Sequence, residues 1–362
     1  MNQTKTSRRK PKNQRFFSDK NLDLTNIVCP LCHALLDQNT IGRVSCDSCR
    51  LIFPKFAGFI DLRLHSDRYL SLNQERRKAE RLSAKEHDHS LEDLARAYYA
   101  ITADVDNTRR ERFVRHISGA HHRGQAMLAR LPKKGNILEI GCGTGGFLAA
   151  AAEAGRNAIG IDIASRWLVV ARRRLQELLK YNQSCPLIPA CAEKVPFANE
   201  SFDIVVADSL LEHVDDTFSS ISEMLRVARP GGLIMIWAPN PRWPGPDPHV
   251  GLWLVKFMPK KSAVRYLKWR RGDIFWPTCR TSQEWAELIR RHFTDCEIKI
   301  QSADTSHWPV QDKSLRGRIA RTSGRLSHLP IFHLLFNLFG PLIEIQITKT
   351  KKETDSDERS FL

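Results

Sequence analysis

The stretch Ile137-Leu-Glu-Ile-Gly-Cys-Gly-Thr-Gly-Gly146 decides the fold class of this chain. Its short apolar run ends at Gly141, and an alanine-rich segment follows from Gly146 to Gly155, so the pattern predicts a strand, a glycine turn and a helix. Glycines let the backbone turn sharply and leave room for a ligand against the main chain. Because the start of a helix offers free N–H groups to an anion, this turn is a candidate ligand site.

Predicted strands and helices alternate on the C-terminal side of the turn. A second apolar run, Ala158–Ile163, follows the first helix, and the last predicted strand is Leu342–Ile347. Between them we predict helices Ser165–Tyr181, Phe218–Val227 and Ser282–His292 and strands Phe202–Ala207, Leu233–Ala238 and Glu297–Gln301. This alternation predicts an α/β fold with a doubly wound, mainly parallel sheet.

The glycine turn leaves more than one ligand open. The spacing Gly141-x-Gly143-x-x-Gly146 also satisfies the dinucleotide fingerprint, so a nicotinamide enzyme is a competing interpretation. Asp162, at the end of the second predicted strand, suits either ligand, because a carboxylate there can accept both hydroxyls of an adenosine ribose. A glycine turn without any ligand is the third interpretation.

Five motifs occur in order along this region, and together they resemble the class I S-adenosylmethionine-dependent methyltransferases. They are Ile137–Gly145, Ala192-Glu-Lys-Val-Pro-Phe197, Ser201-Phe-Asp-Ile-Val-Val206, Leu211-Glu-His-Val214 and Glu223-Met-Leu-Arg-Val-Ala-Arg-Pro-Gly-Gly232. The resemblance covers about Asn136 to Lys349. It implies the seven-stranded, Rossmann-like methyltransferase sheet and S-adenosylmethionine as the cofactor.

The resemblance also implies which residues contact the cofactor. They are Glu139, Gly141, Cys142, Gly143 and Gly145 for the methionine end, Asp162 with its neighbour Ile163 for the ribose, Ala192 and Glu193 for the adenine, and Asp208 and Ser209 beside the reaction centre. The family often has an aspartate immediately before the Ala-Glu pair, where this chain has Cys191. We therefore expect adenine recognition to depend on backbone groups.

Two histidines are candidates for the general base that an oxygen acceptor needs. His213 follows the fourth strand, and His249 lies in a proline-rich loop beyond the fifth. The competing interpretation is structural, namely a helix start or packing for His213 and loop structure for His249. Methyltransferases of quinone precursors that resemble this chain carry Glu-x-x-Glu-His and bind a divalent metal. Ser209 stands in place of the first of those glutamates, which argues against a catalytic metal.

Four cysteines near the N-terminus form two pairs, Cys29-Pro-Leu-Cys32 and Cys46-Asp-Ser-Cys49. Each pair can present two thiolates to one tetrahedral zinc ion, and four sulfur ligands make a closed, structural site. The stretch Cys46–Leu62 resembles the zinc ribbon of the Trm112-like family, which includes activators of methyltransferases acting on RNA and translation factors. The competing interpretation is a folding unit that supports the catalytic domain and touches no substrate.

These features divide the chain into five predicted segments. They are a disordered basic tail at 1–20, a zinc ribbon at 21–64, a helical linker at 65–107, the methyltransferase domain at 108–350 and a tail at 351–362. No apolar signal region follows the basic N-terminus, and no run reaches the roughly 18–20 apolar residues of a membrane span. We therefore expect no transmembrane segment, a cytoplasmic location and cysteines that are free or metal-bound.

The formal net charge of +16 favours anionic partners, such as RNA, an acidic lipid surface or acidic small molecules. In Ser314–Pro341, a basic half precedes the apolar run Leu329–Phe339. Packing against the sheet or the ribbon is one interpretation of that run. The other is a lid over an apolar acceptor or a peripheral membrane anchor.

The favoured function is methyl transfer to an oxygen or carbon of a small, anionic or lipid-linked acceptor. The first alternative is an RNA methyltransferase that uses the zinc ribbon to bind its substrate. The second is a binding protein that has the fold but no activity. The intact loop Gly141–Gly145 and Asp162 argue against the second alternative.

Overall fold

The structure is a computed structural model. It describes residues 27–37, 43–101, 107–178, 185–245, 247, 250–253, 255–271, 279–303, 335 and 337–351. The predicted basic tail, His249, most of Ser314–Pro341 and the C-terminal tail beyond Lys351 lie outside the described residues.

The N-terminal module is a small antiparallel sheet on the edge of a larger one. Its strands are β1 (Arg43–Ser45), β2 (Ile52–Phe56) and β3 (Phe59–Ile60), with β2 in the middle. Ile27, Phe53 and Leu62 are buried in one hydrophobic core with residues of the large sheet. The module therefore shares its interior with the rest of the protein.

In the described residues, seven strands form the large sheet. They are β4 (Ile137–Ile140), β5 (Ala158–Asp162), β6 (Leu187–Pro189), β7 (Phe202–Asp208), β8 (Ala228–Pro239), β9 (Cys296–Ser302) and β10 (Leu342–Lys349). Their order is β6-β5-β4-β7-β8-β10-β9, and only β10 runs antiparallel to its neighbours. The predicted doubly wound, mainly parallel, Rossmann-like sheet is confirmed. Because β5 and β7 lie on opposite sides of β4, the strand order reverses there and the carboxyl ends of these strands border a crevice.

Helices cover both faces of this sheet. They are α1 (Leu72–Ser83), α2 (Leu91–Ala100), α3 (Asn107–Ser118), α4 (Ala120–Leu128), α5 (Gly146–Glu153), α6 (Ser165–Leu178), α7 (Thr217–Val227), α8 (Lys260–Arg271) and α9 (Ser282–His292). Ser90 caps α2 by accepting a hydrogen bond from the backbone N–H of Asp93. No helix among the described residues is long and apolar enough to cross a membrane.

Helices α1 and α2, which the sequence assigns to a linker, pack against α6. Glu75 of α1 is 1% exposed, accepts a hydrogen bond from the backbone N–H of Arg166 and forms an ion pair with its guanidinium. On α2, the ring of Tyr98 lies 4.4 Å from that of Trp167. These two helices are therefore part of the body of the protein, and one face of α1 is buried despite its charged sequence.

Candidate cofactor site and metal centre

The predicted glycine turn has left-handed backbone geometry at Gly141, Gly143 and Gly145, with φ values of 76°, 49° and 70°. A Cβ added to Gly141 would lie 2.8 Å from a methyl carbon of Leu210, and one added to Gly145 would lie 2.8 Å from the Cβ of Ala171. At Gly143 an added Cβ meets no heavy atom of the described residues within 4 Å. Two of the glycines therefore permit close packing, and Gly143 leaves open space.

That space is a cavity of about 320 Å³ at the carboxyl ends of the central strands. Its volume falls within the range of small-ligand pockets. Eight of the residues predicted to bind the cofactor or to act as the general base line this cavity. They are Gly141, Gly143, Asp162, Ile163, Ala192, Glu193, Ser209 and His213. The structure thus brings together residues from three of the five motifs with Asp162, Ile163 and Ser209, which lie at the carboxyl ends of β5 and β7.

Three predicted residues lie behind the wall of the cavity. The side chain of Cys142 points into the core, where a Cβ added to Gly160 would lie 2.8 Å from its Sγ. Gly145 is the N-cap of α5. Glu139 is 4% exposed and lies at the end of the central strand. These three residues therefore shape the cavity from behind its lining.

Asp162 connects the two loops that meet at the cavity. One carboxylate oxygen accepts the backbone N–H of Gly143 and the other accepts that of Ala164, each at 2.7 Å. Burial raises the pKa of Asp162 to about 6, although both N–H groups oppose the shift. Each oxygen of a carboxylate has a second lone pair, so this side chain can also accept hydroxyl groups from a ligand.

Glu139 carries a buried atom without a partner. Its Oε2 makes no hydrogen bond with the described residues. Burial raises the pKa of this carboxyl group well above its ordinary value, and the nearby charges of Asp208 and Asp162 raise it further. A buried acceptor without a donor is costly, so the position fits a cationic or hydrogen-donating ligand group.

At the other end of the cavity, Glu193 lies beside His65. Oε1 of Glu193 accepts the backbone N–H of Asp215 at 3.1 Å, and Oε2 lies 3.6 Å from Nε2 of His65. Cys191 is fully buried, and its Sγ contacts the backbone oxygen of His65 at 3.7 Å. Hydrogen bonding with Cys191 raises the pKa of His65 to about 9. Cys191 therefore holds the wall of the cavity and does not line it.

The segment His65–Tyr69 also lines the cavity, and sequence reasoning missed it. It follows Arg63, which forms an ion pair with Asp61 at 2.7 Å and donates a hydrogen bond to the backbone oxygen of Ile163 at 2.9 Å. The backbone N–H of Leu62 donates to Pro189 of β6. The chain thus leaves the N-terminal module across the carboxyl ends of β5 and β6. No periodic pattern marks this segment in the sequence.

Ser209 and His213 lie at the end of the cavity next to β7. Ser209 has a φ of 52°, an unusual backbone conformation for a residue other than glycine, and its Oγ donates to Asp208 at 3.2 Å. Nε of Arg123 lies 3.3 Å from the other oxygen of Asp208, and Asp208 itself does not line the cavity. His213 is the candidate base that the structure places here, and His249 stays a prediction outside the described residues.

The four cysteines of the N-terminal module converge. Their Sγ atoms lie within 4.8 Å of one another, with 3.5 Å between Cys29 and Cys49 and 3.4 Å between Cys32 and Cys46. Four sulfurs bound to zinc at 2.3 Å in a tetrahedron are about 3.8 Å apart. The arrangement therefore fits a closed four-thiolate zinc site.

The two cysteine pairs form the same turn. In each, the residue after the second cysteine has a left-handed conformation, with φ values of 59° at His33 and 60° at Arg50. Its backbone N–H donates to the carbonyl of the first cysteine, at 2.9 Å for Cys29 and 2.8 Å for Cys46. His33 is thus a turn residue beside the cluster.

Comparison with known proteins identifies the central part of the chain. Residues 138–236 match the family profile described as a methyltransferase domain, Methyltransf_11. An uncharacterized methyltransferase of Mycobacterium leprae is 31% identical over 133 residues, which are 36% of this chain and 47% of that protein. A ubiquinone biosynthesis O-methyltransferase of Nitrosospira multiformis is 35% identical over 107 residues, 29% of this chain and 43% of that protein. The chain therefore spans about half the length of the curated relatives it matches.

Among solved structures, the chain is similar to an S-adenosylmethionine-dependent methyltransferase from Mesorhizobium loti. The sequence identity is 17%, the TM-score is 0.43, and the match covers 64% of this chain and 100% of that one.

Proposed function

We propose that this chain, which carries a methyltransferase domain, binds S-adenosylmethionine and transfers its methyl group to an oxygen or carbon of a small or lipid-linked acceptor. The observation that supports this most is the cavity at the switch point of the sheet. Gly143 opens on it, Asp162 faces it, and the buried Glu139 behind it has an acceptor atom without a partner. S-adenosylmethionine offers ribose hydroxyl groups to Asp162, and its positive charge would stabilise the ionised form of the buried Glu139 behind the wall.

The packing of α4 against α5 favours this ligand over a nicotinamide dinucleotide. A dinucleotide places its pyrophosphate at the first turn of the helix after the glycine loop. Here a Cβ added to Gly146, the first residue of α5, would lie 2.6 Å from the backbone oxygen of Ala120. A Cβ on Gly124 would lie 2.5 Å from the backbone oxygen of Gly146. Helix α4 thus lies directly against the turn that a pyrophosphate needs.

In this proposal, bound S-adenosylmethionine supplies an electrophilic methyl group on a sulfonium. The chain holds the two reactants in line and keeps water out of the cavity. Ser209 and His213 border the reacting end, and His213 accepts the proton that an oxygen acceptor loses. At the other end, Ala192 and Glu193 contact the adenine beside His65.

Two observations bear on the nature of the acceptor. One relative is named for ubiquinone biosynthesis, which favours a quinone-type acceptor for this chain as well. The net charge of +16 suits an anionic or lipid-like molecule in an anionic environment. RNA is the alternative. Material that co-purifies with the protein, either nucleic acid or lipid, distinguishes the two.

Calorimetric titration tests the cofactor. We expect the protein to bind S-adenosylmethionine and not NAD. Asp162→Ala should weaken that binding by about 1–3 kcal/mol, because the ribose loses a charged acceptor. Tight binding of NAD without binding of S-adenosylmethionine would refute the proposal.

We also propose one structural zinc ion per chain, held by Cys29, Cys32, Cys46 and Cys49. The converging sulfur atoms and the two matching turns support it. Elemental analysis of the purified protein should give one zinc per chain, and none for Cys46→Ser. A metal-free parent protein would contradict the assignment.

A further inference from the structure

Exposed apolar side chains are concentrated in two segments, 253–269 and 335–339. Trp253, Phe257, Val264 and Trp269 of the first are 53%, 55%, 52% and 76% exposed. Leu338 and Phe339 of the second are 37% and 44% exposed. Single exposed apolar residues are ordinary, but a group of large ones marks an interaction surface. We call this group the Trp269 surface.

Asn240 holds the two segments of the Trp269 surface next to each other. Its side-chain amide donates hydrogen bonds to the backbone oxygens of Leu338 and Gly340, at 3.1 and 2.8 Å. Its own backbone oxygen accepts Nζ of Lys256 at 3.2 Å, and that ammonium group also lies 3.6 Å from the buried Asp247. Both segments are thus fixed to the residue that follows β8. The part of the surface around Lys256 and Leu338 therefore lies near the carboxyl end of β8. The carboxyl ends of the strands that border the cavity lie along the same edge of the sheet.

Helix α8 contributes Val264 and Trp269 to this surface. Their exposure does not come from a lack of core packing in the helix. Ala263 and Leu267 are buried, at 0% and 3% exposure, in a small core with Val255. The helix therefore already has a buried seam. Val264 and Trp269 lie outside that seam and remain exposed.

The charged residues along the first segment have one sign. Between Asp247 and Asp273 the chain has seven lysine and arginine residues and no acidic residue. Lys260, Lys261 and Arg265 are exposed on α8, and the guanidinium of Arg270 lies 5.5 Å from the ring of Trp269. Aromatic and aliphatic side chains among basic ones are typical of elements that lie in the interface of an anionic bilayer.

We propose that the Trp269 surface binds an anionic lipid bilayer, so that an acceptor dissolved in the bilayer reaches the cavity from the membrane. Two observations favour a bilayer as the partner: the basic charge complements anionic lipids, and the surface mixes aromatic with aliphatic groups. A single-stranded RNA platform uses aromatic rings for base stacking, whereas Val264 and Leu338 offer aliphatic surface that suits lipid chains. Only the supply of acceptor rests on the proposed methyltransferase function. Binding to the bilayer does not.

Co-sedimentation with vesicles tests the proposal on the full chain. The parent protein should sediment with phosphatidylcholine vesicles that contain phosphatidylglycerol, and less so without phosphatidylglycerol or at high salt. The double variant Phe257→Ser, Trp269→Ser should lose about tenfold or more in partition, since two large apolar groups no longer enter the interface. Lys260→Glu with Lys261→Glu should also weaken binding, but only to the anionic vesicles.

A matched control is Ile52→Ser with Leu178→Ser. It removes two apolar side chains that are 56% and 45% exposed outside the Trp269 surface, so it should sediment like the parent. Each variant is also titrated with S-adenosylmethionine, and an unchanged affinity shows that it is folded.

The inference is overturned if the Phe257 and Trp269 double variant sediments like the parent, or if the parent binds neutral vesicles equally well. It is also overturned if the parent does not bind vesicles but binds a single-stranded RNA oligonucleotide through Trp269. Failure of vesicle binding with intact cofactor binding leaves the proposed function standing. Vesicle binding without binding of S-adenosylmethionine would support the Trp269 surface and refute the proposed function.

Discussion

The alanine substitution of Gly143 gives a sharp test of the cavity, because the chain contains a matched control. Gly143 and Gly155 both have positive φ values, 49° and 68°, and a Cβ added to either meets no heavy atom of the described residues within 4 Å. Alanine at either position should therefore cost about 1–2 kcal/mol in backbone strain. Of these two glycines, Gly143 lines the cavity and Gly155 is exposed after the end of α5.

We expect Gly143→Ala and Gly155→Ala to lower the thermal midpoint by a similar amount, a few degrees for about 1 kcal/mol in a chain of this size. Calorimetric titration should then separate them. A methyl group forced against a bound ligand costs about 1–3 kcal/mol, as overpacking does, so Gly143→Ala should bind S-adenosylmethionine roughly fivefold to a hundredfold more weakly. Gly155→Ala should bind like the parent. Equal affinities for the two variants would refute the placement of the cofactor against Gly143.

Three further predictions concern the walls of the cavity. Cys46→Ser should lose zinc and should also weaken S-adenosylmethionine binding, because His65–Tyr69 directly follow the N-terminal module and line the cavity. An unchanged affinity in the zinc-free variant would show that the two sites are independent. The affinity of the parent should fall as the pH decreases through about 6, because protonation turns one oxygen of Asp162 into a donor and removes acceptor sites that the two backbone N–H groups and the ribose hydroxyls need. Asp162→Asn should bind weakly and without this pH dependence. Asp61→Asn should lower the free energy of unfolding by about 3–5 kcal/mol, because it leaves Arg63 and Arg76 without their buried partner. Denaturant titration measures this loss. A loss below 1 kcal/mol, roughly that of an exposed ion pair, would show that Asp61 does not stabilise the fold in this way.

The sequence predicted the sheet well, because its strands are short and apolar and are separated by helices of ordinary length. Helix α9 has the bounds Ser282–His292 in both the prediction and the structure, since a threonine cap and a glutamate three residues later mark its start. The sequence did not show how the helices of the predicted linker pack. Charged residues dominate α1, and periodicity alone did not show that Glu75 would pair with Arg166, which lies 91 residues further along the chain.

The sequence by itself determined the glycine turn, the acidic residue at the end of the second strand and the two cysteine pairs. These are local signals: a left-handed turn needs glycine, and two cysteines three residues apart can face one metal ion. The tertiary structure alone decided that the chain leaving the N-terminal module forms a wall of the cavity, that Cys142 and Cys191 are buried and do not line it, and that Asn240 joins the two segments of the Trp269 surface. Each of these depends on contacts between residues distant in sequence, which are set by how the strands are ordered and packed and which no local pattern encodes.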